Sequence, residues 1–217
     1  MKVRFLYFGI AALVLGSCAS EGGTTANEET KTIKMATETC SYSVNPKNVT
    51  VKWTAFKFTD KTGVGGQFDS VVVDATRKLK SPKDALNNME FEIPVVTLNS
   101  NNPERDKKIQ DYFFGALVST KSIKGKIISA EGTDREGSVL VNLVMNDKVA
   151  EVSMKYFADG QTVTINGAIN VGMWDAMAGI NALNSVCKDL HTGPDGTSKL
   201  WPDVDIEVTA ILDKTCK

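Results

Sequence analysis

VTVKWTAFKFTDKTGVGGQFDSVVVD, residues 49–74, is the stretch from which the fold is read. Val49, Val51, Trp53 and Ala55 alternate with Thr50, Lys52 and Thr54, the period-2 pattern of a strand with one wet face. At Ala55 and Phe56 the phase slips and Phe56 and Phe58 take over the apolar stripe, as a β-bulge requires. Thr59, Asp60, Lys61, Thr62 and Gly63 form a polar turn, and Gly65-Gly66 leaves the backbone free to bend. Residues 68–73 then return as a second strand. A long, bulged, glycine-kinked hairpin curls a sheet toward closure, so the expected fold is a mainly β barrel.

The remaining chain supplies the other staves. Met89, Phe91, Ile93 and Val95 alternate with Glu90 and Glu92 in a half-buried strand that ends near Pro94. Strands are expected over 122–130, 138–146, 148–158 and 161–171, with tight turns at Asn146-Asp147 and Asp159-Gly160. A last strand alternates through Val204, Ile206, Val208, Ala210 and Leu212. Three connections read as short helices. One starts at Ser81-Pro82, one at Asn102-Pro103 and ends near Gly115, and one covers 174–190 with Ile180, Leu183, Cys187 and Leu190 on one face. The total is an antiparallel barrel of about eight strands with short helices in three connections.

The ends bound where such a barrel works. Lys2 and Arg4 precede an apolar run over 5–15, a secretory signal. It closes in Leu15-Gly16-Ser17-Cys18, which resembles a bacterial lipobox with Cys18 as the lipidated first residue of the mature chain; a plain signal peptide with a chance cysteine is the alternative. Residues 18–39, rich in Ser, Thr, Gly and Glu, read as a flexible tether with a mean reach on the order of 25 Å. Residues 40–217 are left for one domain. Losing Lys2 and Arg4 with residues 1–17 leaves 23 basic against 26 acidic residues, a net of −3. With both signs interspersed and no basic stripe, nucleic acid is excluded as an expected partner.

Little in the chain suggests catalysis. His191 is the single histidine. Cys187 and His191, at i and i+4, have the spacing of a shared metal or a nucleophile–base pair, but two ligands fall short of a metal site. The favoured reading is a packed thiol and a histidine at a helix C-terminus. Glu104, Arg105 and Asp106 offer a polar head-group site with Arg105 as the fork; the favoured reading is a capped helix start with a local ion pair. Gly63-Val64-Gly65-Gly66 lacks the Lys and the helix of a phosphate loop. No enzymatic activity, cofactor or metal is expected.

The VKWTAFKFT…GVGGQFD hairpin, the NPERDKKIQDYFF helix after a strand and the closing strand–helix–strand unit together resemble the YceI-like family of bacterial exported proteins, over nearly everything after Cys40. That resemblance implies a lipocalin-like antiparallel barrel holding a polyisoprenoid or similar apolar chain. The helical insert over 174–199 departs from the shortest members and could cap or partly fill the cavity.

The expected function is therefore that of a tethered carrier for an isoprenoid, quinone or fatty acyl chain, lipid-anchored in the bacterial cell envelope and facing the periplasm. An envelope interaction module with a side-chain-filled barrel is the alternative. The expected lumen is lined by Trp53, Ala55, Phe68, Phe91, Ile93, Phe113, Val163, Ile165, Gly167 and Trp174, with Ala55, Gly167 and Ala210 side by side as a groove. If the first and last strands close the barrel, Cys40 meets Cys216; a bond from Cys187 to either terminus is the rival pairing.

Overall fold

The computed structural model describes residues 39–217, so the signal, Cys18 and the tether up to residue 38 lie outside the described residues. Ten strands form one antiparallel sheet: β1 (Cys40–Lys57), β2 (Thr62–Phe68), β3 (Val72–Val73), β4 (Glu90–Pro94), β5 (Leu98–Asn99), β6 (Ser122–Gly132), β7 (Glu136–Met145), β8 (Lys148–Asp159), β9 (Thr162–Asn170) and β10 (Leu200–Cys216). The strand order is β3-β4-β6-β7-β8-β9-β10-β1-β2-β5. The outermost strands are continuations of strands at the opposite side. β3 follows β2, β5 follows β4, and the pairs Phe68–Leu98 and Val72–Glu92 belong to one interrupted antiparallel ladder. The amide of Asp69 donates to the Thr97 carbonyl between them at 2.9 Å. Counted as continuous staves, the sheet has the eight strands read from the sequence, curled until its edges meet. The break in the β4–β5 stave is a 3-10 turn at Val95–Thr97 behind Pro94, which has no N–H for a ladder.

Three features of the opening hairpin differ from the reading. Gly63 to Gly66 are ladder residues of β2, not a bend. Gly66 is a glycine for another reason: a Cβ there would stand 2.4 Å from the Trp53 ring, directly across the pair. The irregularity near Phe56 is present between Ala55 and Lys57, but the extra residues belong to β10, where the register moves from Val204 to Leu200. β1 also begins at Cys40, well before Val49, because a second irregularity between Val44 and Val49 absorbs Asn45-Pro46-Lys47-Asn48. That break hid the earlier segment from a period-2 count.

The turns follow their chemistry. Asn146 and Asp147 have φ of 52° and 56°, the two left-handed residues of a type I′ hairpin turn. Gly160 has φ of 59° in the next. α1 (Pro82–Leu86) is capped by Ser81, whose hydroxyl accepts from the Asp84 amide at 3.2 Å. α2 (Pro103–Lys108) is capped by Asn102 and runs on through a wider turn at Ile109–Phe113. α3 (Met177–Val186) follows a 3-10 turn at Val171–Trp174. The inner face of the sheet, with α1 at one end and α2 and α3 at the other, makes a single hydrophobic core. The outer wall carries exposed cross-strand ion pairs such as Lys52–Glu207 and Lys126–Glu90, each worth at most about 1 kcal/mol.

Cys40 and Cys216 are direct partners in the β1–β10 ladder and are joined by a disulfide, while Cys187 is a buried thiol. The bond encloses a sequence separation of 176 residues. Cys40→Ser/Cys216→Ser should therefore lose about 5 kcal/mol on the chain-entropy account, read from denaturant unfolding. A non-reducing peptide map should link the Cys40 and Cys216 peptides; a linked Cys187 peptide would contradict the pairing.

Candidate functional site

Three cavities run in series along the barrel. The first, of about 160 Å³, lies toward the disulfide end and is bounded by Val44, Val51, Phe91, Val163, Ala210 and Leu212, with Ala85 and Leu86 of α1 as its floor. The second, of about 120 Å³, lies toward the opposite end and is roofed by Ile109, Phe113 and Phe114 after α2 and by Ile180 and Leu183 of α3. Every side chain lining these two is apolar or aromatic. Phe68, Ile123, Ile169 and Ile206 line both and form the waist between them.

The third cavity, of about 220 Å³, shares Trp53, Ala55, Ile109, Leu183 and Leu200 with the second. Its other walls are mixed: Lys57, Asn102, Glu104, Arg105, Lys108 and His191 stand beside Phe56, Val64, Cys187 and Leu190. An apolar tunnel therefore ends at a charged rim.

The roof is a lid of two halves. Phe113 and Phe114 meet edge to face at 4.9 Å. Gly179 lets α3 press against them, since a Cβ there would lie 2.7 Å from the Phe113 carbonyl. The 174–199 insert thus caps the second cavity and contributes no side chain to the first.

Trp53, Ala55, Phe68, Phe91, Ile93, Phe113, Val163 and Ile165 all line the tunnel. Two of the residues assigned to it do not. Trp174 is fully buried behind the lid, where its indole donates to the Leu143 carbonyl at 2.8 Å. Gly167 faces inward, but the Met154 side chain fills the notch; a Cβ would come within 2.5 Å of Met154 Cγ. Ala55, Gly167 and Ala210 do sit on neighbouring strands, yet at different heights: Ala55 pairs with Val204, Gly167 with Ile206 and Ala210 with Val163. They form no groove. Alternation gives the face of a residue, whereas height depends on stagger. Ile169 and Ile206 were legible as inward positions and Ile123 was not, and nothing in the sequence marked the three as a constriction.

The helix start and the Cys–His pair resolve into structural roles. Asp106 Oδ1 turns back to accept from the Ser100 amide and hydroxyl at 2.9 and 2.6 Å. Among the described residues Glu104, Arg105 and Asp106 form no ion pair with one another, which corrects that expectation. Cys187 packs inward, and His191 Nδ1 lies 3.0 Å from Asn184 Oδ1. Lys57 Nζ donates to the Leu190 carbonyl at 3.0 Å, pinning this turn to the end of β1. Among the described residues no cluster of three His, Cys, Asp or Glu could hold a metal.

The profile of the YceI-like domain matches residues 42–211. The chain belongs to the YceI-like family. Among solved structures the fold is similar to a polyisoprenoid-binding domain from Saccharophagus degradans implicated in plant cell wall breakdown, at 11% identity and a TM-score of 0.54, covering 80% of this chain and 98% of that one. It is also similar to BcnA of Burkholderia cenocepacia, at 14% identity and a TM-score of 0.51, covering 77% and 98%. No curated protein sequence matches significantly. At these identities the structural likeness speaks for the barrel of this YceI-like chain, and the tunnel is read from its own side chains.

Burial, with the Lys57 ammonium beside it, holds the His191 imidazole of this YceI-like barrel below its ordinary range. The unfolded chain then binds that proton more readily than the folded one. The stability this histidine contributes is present above about pH 6.5 and is lost as pH falls through the folded-state value. NMR titration should place the His191 midpoint below 6.5, and His191→Gln should lose less thermal stability than the parent between pH 7.5 and pH 5. A midpoint at or above 6.5 would contradict the burial argument.

Proposed function

We propose that this chain is a membrane-tethered, non-enzymatic binding and carrier protein that holds an apolar chain of the polyisoprenoid, quinone or fatty acyl class in its barrel. The observation that carries the reading is the pair of end-to-end cavities walled only by apolar side chains. Each is close to the roughly 150 Å³ cavity that accepts a benzene, so together they hold on the order of a dozen carbons. Burying that many methylenes gains on the order of 10 kcal/mol before the costs of ordering and association. Affinity of this kind needs no charged group, and a longer chain would extend through the rim. The description of the Saccharophagus domain as polyisoprenoid-binding supports the same ligand class. A side-chain-filled interaction module is disfavoured by the two cavities.

Organic extraction of the purified protein and mass spectrometry should yield a co-purifying apolar chain. Ala210→Trp, which fills the first cavity, should shorten or abolish it while the fold persists by circular dichroism. An unchanged lipid in that variant, or none in the parent, would contradict the reading.

The anchoring half of the proposal rests on Leu15-Gly16-Ser17-Cys18. Thr39, where the described chain begins, pairs with Lys217 beside the disulfide, so the tether joins the barrel at the end away from its rim. Cys18→Ala should shift the protein from the membrane to the soluble fraction. Persistent membrane association would overturn lipidation as the anchor.

A further inference from the structure

The first two cavities present apolar surface, whereas polar atoms face into the third. The charged residues that line it are Lys57, Arg105, Lys108 and Glu104, three fixed cations against one carboxylate. None of the four belongs to an ion pair among the described residues. Glu104 stands four residues before Lys108, a spacing that favours such a pair, and still makes none. The positive charge of the rim is therefore not neutralised from within. The chain as a whole has a formal net charge of −1, so the excess is local.

Two elements bring the cations together. Arg105 and Lys108 lie three residues apart on α2 and share a face, while Lys57 is the last residue of β1. Lys57 is held in place, because its ammonium donates to the Leu190 carbonyl at 3.0 Å and lies 4.4 Å from the centre of the Phe58 ring. That bond uses one of its three N–H donors. The His191 imidazole on the same cavity is held neutral by its burial and then by the Lys57 ammonium, a second sign of positive potential at the rim. Trp53, Ala55, Ile109, Leu183 and Leu200 are shared with the second cavity, so an apolar chain leaving the tunnel meets this cluster.

We infer that the third cavity is a head-group site for an anion, so the barrel takes an apolar chain ending in a phosphate or carboxylate in preference to one with a neutral end, a quinone included. Arg105 supplies a planar fork for two oxygens, and Lys57 and Lys108 act as point charges beside it. This rests on the lumen being a binding site, and it deepens that reading by naming the charged end. Burial of the chain provides the affinity and the rim provides the choice. Arg105 is exposed and Lys57 and Lys108 are half-buried, so solvent screens each contact and the preference is modest.

The test titrates lipid-stripped protein with dodecyl phosphate, dodecanoate, 1-dodecanol and dodecyltrimethylammonium, each below its micelle concentration. At neutral pH and low salt one or both anions should bind about five- to tenfold more tightly than the alcohol, and the ammonium amphiphile most weakly. High salt should shrink that advantage, and Arg105→Gln/Lys108→Gln should lower the ratio of anion to alcohol affinity toward one. On the parent, the favoured anion should raise the NMR titration midpoint of His191, because a negative charge beside the imidazole favours its protonated form; the alcohol should leave it in place. This reading needs no variant to fold. Equal binding of anions and alcohol, or an anion preference that leaves His191 unmoved, would overturn the head-group assignment while leaving the lumen as a chain-binding site. Failure of all four probes to bind the parent would overturn the lumen reading and this inference together.

Discussion

The tunnel exists because large inward side chains lie over glycines on the neighbouring strand. Trp53 faces Gly66, Phe91 faces Gly125 and Tyr156 faces Gly137, each a direct cross-strand pair. At all three glycines a Cβ would come within 2.3 to 2.7 Å of the partner ring. An aromatic ring laid flat over a missing side chain covers bare backbone and relieves crowding on the concave side of a curling sheet. It also pulls the ring toward the wall, so bulky residues line the barrel instead of filling it. Met154 over Gly167 repeats the arrangement with a flexible side chain.

The two ends of the barrel follow from the same demand to close an apolar space. One end is sealed covalently by Cys40–Cys216 and floored by α1. The other is roofed by two helical segments that meet across Gly179 and Phe113. The lid is held by side-chain contacts and by Lys57 on the Leu190 carbonyl, and the seal by a bond and a long ladder. The polar rim sits on the lid side, where α2 brings Arg105 and Lys108 over the end of β1. Apolar depth and polar exit are thus consequences of which end each connection crosses.

Much of this was legible before any coordinates. Period-2 alternation in 49–55, 89–95, 163–171 and 204–212 marks inward faces, because a pleated strand has no other way to bury one side. That is why Trp53, Phe91, Val163 and Ile165 were placed on the lumen and are found there. The Cys40–Cys216 pairing was expected if the first strand closed on the last. The helical spacing over 174–190 marked a packed segment, and that segment caps the tunnel.

What alternation cannot encode is height along the barrel, and so which inward residues meet. Ala55, Gly167 and Ala210 share a face but not a level, since their heights depend on stagger between strands and on bulges at residues 45–48 and 201–203. Trp174 reads as a lumen aromatic until its indole is seen bonded to Leu143 behind the lid. Lys57, Arg105 and Lys108 are likewise unrelated in sequence until the rim brings them to one cavity. The sequence by itself determined the sheet and its inner face, because these follow from local periodicity, while the choice between the two disulfide pairings fell to the structure. Only the tertiary structure decided the waist, the lid and the charged rim, because each depends on where distant elements come to rest against one another.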